Sequence, residues 1–329
     1  MGMRTCWKVL LSVAFCHAAL GGNTASSQGF PRGPIRIIVP FPAGGATDVQ
    51  MRALGQKFSE SWGQASIIDN RPGGNMVIAA EAAAKAPADG QTLVFTTDSM
   101  ISINPYLYSK LSYVPDRDFV PVTLIGFTNT SLMISADLPV SNVREFIDLM
   151  KSRPGKFNYG TFGTGTNGHF AAEMFKAATG TDLVHVPFKG GAPMLQALAA
   201  NEVQAIFIGP GTAIPLIRSG KIKAIGIYSD RRHSLLPSVP TMTEAGYGNI
   251  DGANAWWGIM APAGTPRDVV LKLSDEIIRI FSAADFREKY LIGFALEPAL
   301  SGPDKFAELL RADREKWARQ TRAVNIRLD

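Results

Sequence analysis

The chain has 329 residues, which is long enough for two domains of ordinary size. Its composition, 46% hydrophobic and 19% charged, is that of a globular protein and excludes a disordered tail, a low-complexity block or a repeat array. The formal net charge of +5 is modest and evenly spread, so it gives no support for nucleic-acid binding.

Residues 1–27 have the pattern of a secretory signal peptide. Arg4 and Lys8 precede an apolar run over residues 9–20, and small polar residues follow that run. The run of about twelve residues is shorter than the ~20 that a membrane-spanning helix needs. We therefore expect this segment to be cleaved near residue 27 during export.

Both cysteines, Cys6 and Cys16, lie in this segment, so the mature chain is expected to carry no thiol. Disulfides, cysteine nucleophiles and thiolate metal sites are thereby excluded. Phe15 stands where a lipoprotein signal has a small residue, so lipid attachment at Cys16 is the less favoured alternative. Cleavage of the signal peptide would remove Arg4 and Lys8 and so lower the net charge of the mature chain to about +3. This charge is compatible with a small anionic ligand.

Strands and helices alternate over the first part of the mature chain. The segment IRIIVPF has consecutive apolar and β-branched residues, as a strand buried on both faces has. The predicted elements are strands at 35–41, 65–70 and 92–97 and helices at 49–61 and 76–86. Such alternation predicts a parallel sheet with crossover helices.

A second series of strands and helices follows. In its first helix Val143, Phe146, Ile147 and Met150 recur at helical spacing, and Ser141 is expected to cap it. The other predicted elements are strands at 156–160, 183–188, 203–208 and 223–228 and helices at 169–179 and 192–200. These elements predict a second α/β unit.

Long amphipathic helices are predicted near the C-terminus, at 269–283 and 303–320. Thr265 is expected to begin a capping box in front of the first of them. Helices that pack back on the first unit predict two lobes, with the chain crossing between them near 127–133 and near 253–260. A ligand would lie in the cleft between the lobes.

Two loops share one construction. In PFPAGGATD (residues 40–48) and in YGTFGTGTNGH (residues 159–169) a strand ends, glycines follow, and a polar residue begins a helix. Unpaired backbone N–H groups and the helix dipole favour anions at such positions. With one loop in each lobe, the pair predicts a site for the two ends of a dicarboxylate. The hydroxyls of Thr47, Thr164 and Thr166 are expected as further donors.

The second loop also fits the G-x-G-x-x-G fingerprint of dinucleotide sites, through Gly163, Gly165 and Gly168. That site needs an acidic residue at the end of the next strand, but this strand ends in Phe188-Lys189. An exported protein also has little access to free nicotinamide cofactor. We therefore expect no dinucleotide.

Several candidate residues have two interpretations. Asp48 either stabilises its own helix start or binds an ordered water or a ligand amine. His169 either donates to the ligand or fixes the loop by packing, and Phe41 either covers the ligand's carbon chain or belongs to the core. Trp256 and Trp257 are expected to pack at a lobe crossing rather than to stack on a ligand.

The mature sequence lacks the patterns of common catalytic centres. It has no H-x-x-x-H or H-E-x-x-H zinc spacing and no G-x-S-x-G nucleophile elbow. We therefore expect no metal, no cofactor and no enzymatic activity. An exported enzyme is the remote alternative.

Several of these segments together resemble the substrate-binding proteins of tripartite tricarboxylate transporters, the Bug family. The segments are PFPAGGATD, IIDNRPGGNMVIAAEAAAKAPADGQTLVF, YGTFGTGTNGHFAAEMF, LVHVPFKGGAPML, SGKIKAIGI and PSVPTMTEAGY with the later WWGIMAPAGTP. They occur in the family's order from about residue 35 to the C-terminus, which makes the resemblance specific.

The resemblance implies an α/β periplasmic binding protein of the two-lobed, type II Venus-flytrap fold. Each lobe would be a mostly parallel sheet flanked by helices, with two crossover strands. Residues 28–128 and 256–329 would form lobe 1, and residues 129–255 lobe 2. Such a protein is expected to be a periplasmic monomer that delivers a carboxylate to a permease with a large and a small subunit. A receptor that presents its ligand to a membrane sensor kinase is the alternative.

The resemblance also implies a set of ligand-binding residues. They are Phe41, Ala43, Gly44, Gly45, Thr47 and Asp48 in the first loop, Gly163, Thr164, Gly165, Thr166 and His169 in the second, and Thr97 and Asp98 after the strand at 92–97. The ligand is expected to be a di- or tricarboxylate, an acidic amino acid or an aromatic acid. Phe162 departs from the small Ser of many relatives and is expected to narrow or reshape the pocket.

Overall fold

Two β-sheets with helices packed against them form the folded part of the chain. The computed structural model describes residues 29–248, 254–324 and 326–328. The predicted signal peptide, residues 1–27, lies outside the described residues and stays a prediction. No helix within the described ranges combines the length and the apolar character that crossing a bilayer requires.

The described strands and helices follow the predicted order. The strands are β1 (Ile35–Val39), β2 (Ser66–Asn70), β3 (Thr92–Thr97), β4 (Phe119–Asn129), β5 (Ser131–Ser135), β6 (Phe157–Thr161), β7 (Leu183–Pro187), β8 (Ala205–Ile208), β9 (Ile222–Ile227), β10 (Asn254–Pro262) and β11 (Glu297–Ser301). The helices are α1 (Ala46–Trp62), α2 (Val77–Ala84), α3 (Asn104–Leu107), α4 (Pro115–Asp118), α5 (Val143–Ser152), α6 (Asn167–Thr179), α7 (Gly191–Ala199), α8 (Ile214–Arg218), α9 (Arg267–Ser282), α10 (Ala284–Tyr290) and α11 (Pro303–Val324). Every predicted strand and helix has a counterpart within a few residues, whereas β4, β5 and β10 were predicted only as lobe crossings, and β11 and the shortest helices were not predicted.

Two predicted helix caps are wrong. Helix α5 is capped by Asn142, whose side chain accepts a hydrogen bond from the Glu145 N–H, while Ser141 donates to the Glu145 carboxylate. At α9 the hydroxyl of Thr265 donates to the Pro262 carbonyl, 2.7 Å away, and caps nothing. In both cases the hydroxyl that the sequence pattern assigned to the cap donates instead to another acceptor, the Glu145 carboxylate within α5 or the Pro262 carbonyl before α9.

The first lobe is built on a six-stranded sheet in the order β11-β4-β10-β3-β1-β2. Strand β1 is parallel to β2 and β3, as the alternation of strands and helices predicts. Strand β10 is antiparallel to β3 and β4, and β11 is antiparallel to β4. Of the strands in these antiparallel pairs, β10 enters the sheet from the other lobe and β11 comes from the C-terminal region.

The second lobe is built on a five-stranded sheet in the order β7-β6-β8-β5-β9. Strand β6 is parallel to β7 and β8, whereas β5 is antiparallel to β8 and β9. The two-lobed α/β fold is thus confirmed, but both sheets are mixed rather than mostly parallel. The physical reason is that only strands joined by a crossover helix must run in the same direction.

The chain crosses between the sheets at Thr130, the single residue between β4 and β5. It returns to the first sheet as β10, after a segment that includes residues outside the described ranges. The exact lobe boundaries, 28–128 with 256–329 and 129–255, stay a prediction.

The C-terminal helix α11 packs against both lobes. Trp256 of β10 is buried, meets Phe306 edge to face at 5.1 Å, and donates its Nε1–H to Asp313. On the same helix Trp317 packs against Phe170 of α6, at 5.2 Å between ring centroids. Trp256 is therefore a core residue of the first lobe, and α11 reaches the second lobe through Trp317.

Candidate ligand-binding cleft

A cavity of about 470 Å³ lies between the lobes and is lined by residues of both sheets. Its walls are the segments that follow the carboxyl ends of β1, β3, β6, β7 and β8. This position is where open α/β sheets bind ligands, because the loops after parallel strands converge at one edge. The volume is within the usual range for small-molecule pockets, roughly 300 to 1,000 Å³.

The first loop brings the start of α1 to the cavity. Gly44, Gly45, Ala46 and Thr47 all line it. Helix α1 begins at Ala46 and has no side-chain cap, so its first backbone N–H groups have no intrahelical or side-chain acceptor. The loop therefore offers backbone donors, with the positive end of the helix dipole behind them.

Asp48 lies under this loop rather than in the cavity. Its Oδ2 accepts hydrogen bonds from the Gly44 N–H at 2.8 Å and from Arg52 Nε at 2.9 Å. Burial alone would raise the pKa of Asp48, but the bonds from Arg52 and Gly44 hold it below its ordinary value. Of its two interpretations, this geometry favours stabilisation of the loop and the helix start.

The second loop brings the start of α6 to the cavity. Thr166, Asn167 and Gly168 line it, and α6 likewise has no side-chain cap. The Thr166 hydroxyl donates to the Gly163 carbonyl at 2.8 Å and so holds the loop in shape. A Cβ at Gly168 would lie 2.1 Å from the Phe207 carbonyl oxygen, so only glycine permits this packing of α6 on β8.

Gly165 and His169 support the second loop from behind. A Cβ at Gly165 would lie 2.2 Å from Leu107 of the first lobe, so this glycine marks a close contact between the lobes. The Gly165 N–H donates to Nδ1 of His169 at 3.0 Å, and the His169 ring stacks on His185 at 4.1 Å. Burial, with His185 beside it, lowers the pKa of His169 to about 4. His169 is thus a neutral acceptor that fixes the loop.

Asp98 and Asn167 meet at the floor of the cavity, one from each lobe. Asp98 accepts from the Asn167 amide at 2.9 Å and from the Ser99 N–H at 2.8 Å, and Asn167 in turn accepts from the Thr130 hydroxyl. Burial raises the pKa of Asp98 to about 7, and the Asp313 carboxylate adds to that rise. The contact joins the lobes with a carboxyl group that changes charge near neutral pH.

The predicted ligand-binding residues fall into two groups. Those that line the cavity are Phe41, Ala43, Gly44, Gly45, Thr47, Thr97, Asp98 and Thr166. Those that do not are Asp48, Gly163, Thr164, Gly165 and His169. Contact of any of them with a ligand stays a prediction, but the second group lies where it supports the loops.

A third helix start on the cavity was missed by sequence reasoning. Residues 189–193 line the cleft, and α7 begins at Gly191 without a side-chain cap. The segment FKGGAP has the same order of strand end, glycines and helix start as the two predicted loops, so the signal was present. Among the described residues that line the cavity, Lys189 is the only lysine or arginine, and it is exposed.

Aromatic rings form one wall of the cavity. Phe41 of the first lobe and Phe162 of the second meet edge to face across the cleft, at 6.1 Å between centroids. Phe41 also contacts Phe95, and Phe95 contacts Trp257, which lines the cavity. Trp257 packs in the crossing strand β10, as predicted, but it also lines the cavity.

Metal chemistry finds no support among the residues that the structure describes. No cluster of three or more histidine, cysteine, aspartate or glutamate side chains with metal-binding geometry occurs there. The arrangement instead suits a negatively charged organic molecule, held by backbone donors and covered by apolar side chains.

Two α/β lobes with a ligand cavity between them define a periplasmic binding protein fold. The chain belongs to the tripartite tricarboxylate transporter family receptors, which it matches over residues 50–326. It is 31% identical to the protein BugT of Bordetella pertussis over 97% of this chain and 98% of that protein. The resemblance in the sequence to the Bug family is thus confirmed.

Solved structures show the same architecture. One is a Rhodopseudomonas palustris protein with adipate, 32% identical, with a TM-score of 0.86 over 91% of this chain and 99% of that one. Another is MatC from Rhodopseudomonas palustris with bound malate, 30% identical, with a TM-score of 0.82 over 88% of this chain and 99% of that one. Both neighbours hold a small carboxylate.

Proposed function

We propose that the protein captures a small carboxylate in the periplasm and delivers it to a tripartite membrane transporter with a large and a small subunit. The observation that carries this proposal is that two uncapped helix starts, at Ala46 and Asn167, face one cavity from opposite lobes. Export through the predicted signal peptide, residues 1–27, and a monomeric state belong to the same proposal.

The chemistry of the cavity supports an anionic ligand. A helix N-terminus carries a partial positive charge of about half an elementary charge, and its free N–H groups donate directly to carboxylate oxygens. Two such helix starts that converge from separate lobes bind the anion best when the lobes are together. Capture therefore couples to closure, which a receptor needs in order to signal its loaded state to a transporter.

The chemistry of the neighbours supports a carboxylate in particular. Adipate and malate are present in two structures that share this fold at 30% identity or more. The loop PFPAGGATD of this chain offers backbone donors that suit such a carboxylate. Of the anions that suit a helix N-terminus, a carboxylate is therefore the proposed one.

A thermal-shift screen of the mature protein with mono-, di- and tricarboxylates tests this function. A carboxylate present at 100 times its Kd should stabilise the folded protein by about 2.7 kcal/mol, and so raise the melting temperature measurably. Sodium chloride at matched ionic strength is the control. The proposal fails if no carboxylate raises the melting temperature above that of the salt control.

A further inference from the structure

Given the proposed function, we propose that the cleft selects a carboxylate with a single negative charge and an aromatic or similarly bulky apolar body, and that Phe41 and Phe162 set this preference. The inference rests on where the aromatic side chains lie relative to the backbone donors and on the charges that line the cavity.

The two phenylalanines occupy equivalent positions in the two loops. Helix α1 begins at Ala46, and Phe41 precedes it in the first loop. Helix α6 begins at Asn167, and Phe162 precedes it in the second loop by the same number of residues. Each set of backbone donors therefore has a phenyl ring beside it. A carboxylate held by both helix starts must place its carbon skeleton against these two rings.

The rings form a surface that a ligand would cover. Phe41, Phe162 and Trp257 are each only half-buried, and all three line the cavity. The edge-to-face series from Phe162 through Phe41 and Phe95 to Trp257 has centroid separations of 6.1, 6.3 and 5.3 Å. An aromatic ligand adds one more ring to this series and buries apolar surface on both lobes at once.

Further apolar side chains line the cavity together with the rings. Met76 approaches from the first lobe, and Leu195 and Ile208 approach from the second. A ring or branched hydrocarbon would bury against all three, whereas a polar chain would find partners only among the Thr, Ser and Asn side chains that also line the cavity.

The charges around the cavity disfavour a second carboxylate. Among the described lining residues the charged side chains are Asp98 and Lys189. Asp98 is buried at the floor and repels an anion when it is ionised, whereas Lys189 is exposed at the rim. A second carboxylate beside the rings would lose its hydration without gaining a buried cation, and the donors left for it are the start of α7 and the exposed Lys189 at the rim.

Isothermal titration calorimetry with three related carboxylates tests the proposal. Hexanoate and adipate have the same carbon chain and differ in the second carboxylate, while 3-phenylpropionate adds a ring to a monocarboxylate. We expect 3-phenylpropionate to bind most tightly and adipate least tightly, with at least about a tenfold difference in Kd between them.

The variant Phe162→Ser tests whether Phe162 sets the preference for an aromatic ligand. This variant should weaken 3-phenylpropionate at least about fivefold and change adipate less than twofold, because the ring contact serves only the apolar body. Trp62→Ser is the matched control, since Trp62 is a half-buried aromatic at the far end of α1 that stacks on Phe58 and lies outside the cavity. It should leave all three affinities within twofold of the wild type.

The outcomes separate this inference from the proposed function. Adipate binding as tightly as 3-phenylpropionate would overturn the selectivity while leaving the carboxylate receptor intact. An unchanged ratio of affinities in Phe162→Ser would overturn the role of that residue. Absence of binding by every carboxylate would overturn the proposed function and this inference together.

Discussion

Asp98 is a residue whose acid–base chemistry the fold alters strongly. Its carboxyl group is buried between the lobes and is paired with the Asn167 amide and a backbone N–H rather than with a cation. Desolvation therefore outweighs the hydrogen bonds and raises the pKa of Asp98 to about 7. Its protonated form contributes stability that is fully present below the ordinary value of 3.8 and is lost as the pH rises through about 7.

The titration of Asp98 predicts that anion binding weakens with rising pH. Between pH 6 and pH 8 we expect the affinity for 3-phenylpropionate to fall by roughly tenfold, since like charges ~10 Å apart repel by about 1 to 2 kcal/mol at an effective dielectric constant near 20. The ligand stays ionised over this range, and His169 and His185, with pKa values of about 4, stay neutral. Calorimetric titrations at pH 6, 7 and 8 measure the effect.

The isosteric variant Asp98→Asn is the control for that prediction. It keeps the size of the side chain and an acceptor for Asn167 but cannot ionise, so its affinity should be the same at pH 6 and pH 8. A wild-type protein whose affinity also stays constant would show that Asp98 does not titrate in the loaded cleft.

At the scale of the element, the starts of α1, α6 and α7 define the site. All three lack a side-chain cap, and all three begin at the cavity. A helix usually satisfies its first N–H groups with a Ser, Thr, Asp or Asn side chain. Here those groups lie at the cleft, and only the Asn167 N–H has a side-chain acceptor, Ser99 Oγ at 3.4 Å, so the proposed ligand takes the place of the cap.

Proline at the first position of α1 tests whether its backbone donates to the ligand. Ala46→Pro removes one N–H group without disturbing the helix, because proline is well tolerated at that position and Gly45 before it is extended. Loss of a charge-assisted hydrogen bond of about 1.5 to 3 kcal/mol should weaken binding roughly 10- to 150-fold. The measurement is the Kd of the best ligand from the thermal-shift screen.

A matched substitution elsewhere controls for effects of proline itself. Ala284→Pro makes the same change at the first residue of α10, which is exposed and lies outside the cavity. This variant should bind like the wild type and melt at a similar temperature. Equal affinities of the two proline variants would mean that α1 contributes no backbone donor.

At the scale of the molecule, the lobes of the described structure are in contact on both sides of the cavity. Phe41 meets Phe162, Asp98 meets Asn167, and α11 reaches the second lobe through Trp317. These contacts are small and partly polar, so we expect the ligand's own contacts to strengthen the association of the lobes.

Ligand binding is therefore expected to contract the protein in solution. Small-angle scattering of the mature protein should give a smaller radius of gyration with saturating 3-phenylpropionate than without it. Asn167→Ala removes the amide that joins Asp98 and should reduce this contraction, whereas Asn158→Ala on β6, outside the cavity, should not. An unchanged radius on addition of a ligand that binds would contradict closure.

Much of the fold was accessible from local patterns. Continuous apolar runs predicted β1 and β3, helical spacing predicted α5 and α11, and glycine followed by a polar residue predicted the starts of α1 and α6. These features depend on a few neighbouring residues, because strand, helix and cap preferences are set by backbone geometry and side-chain size.

Which residues face the cavity depended on contacts between distant segments. Asp48 and His169 lie beside the predicted loops, yet both turn away from the cavity and hold those loops by hydrogen bonds. The directions of β4, β10 and β11 depended in the same way on partners far along the chain. Local patterns carry no information on such partners, so mixed sheets were not predicted.

The sequence by itself determined the α/β class, the family and the two loops that start helices at the cleft. Only the tertiary structure decided that the helix start at Gly191 lies on the cavity, that Trp257 lines it, and that Phe41 meets Phe162 across it. The physical reason is that a helix start or a buried strand is a local preference. A cavity wall, in contrast, exists only where segments far apart in the chain are packed together.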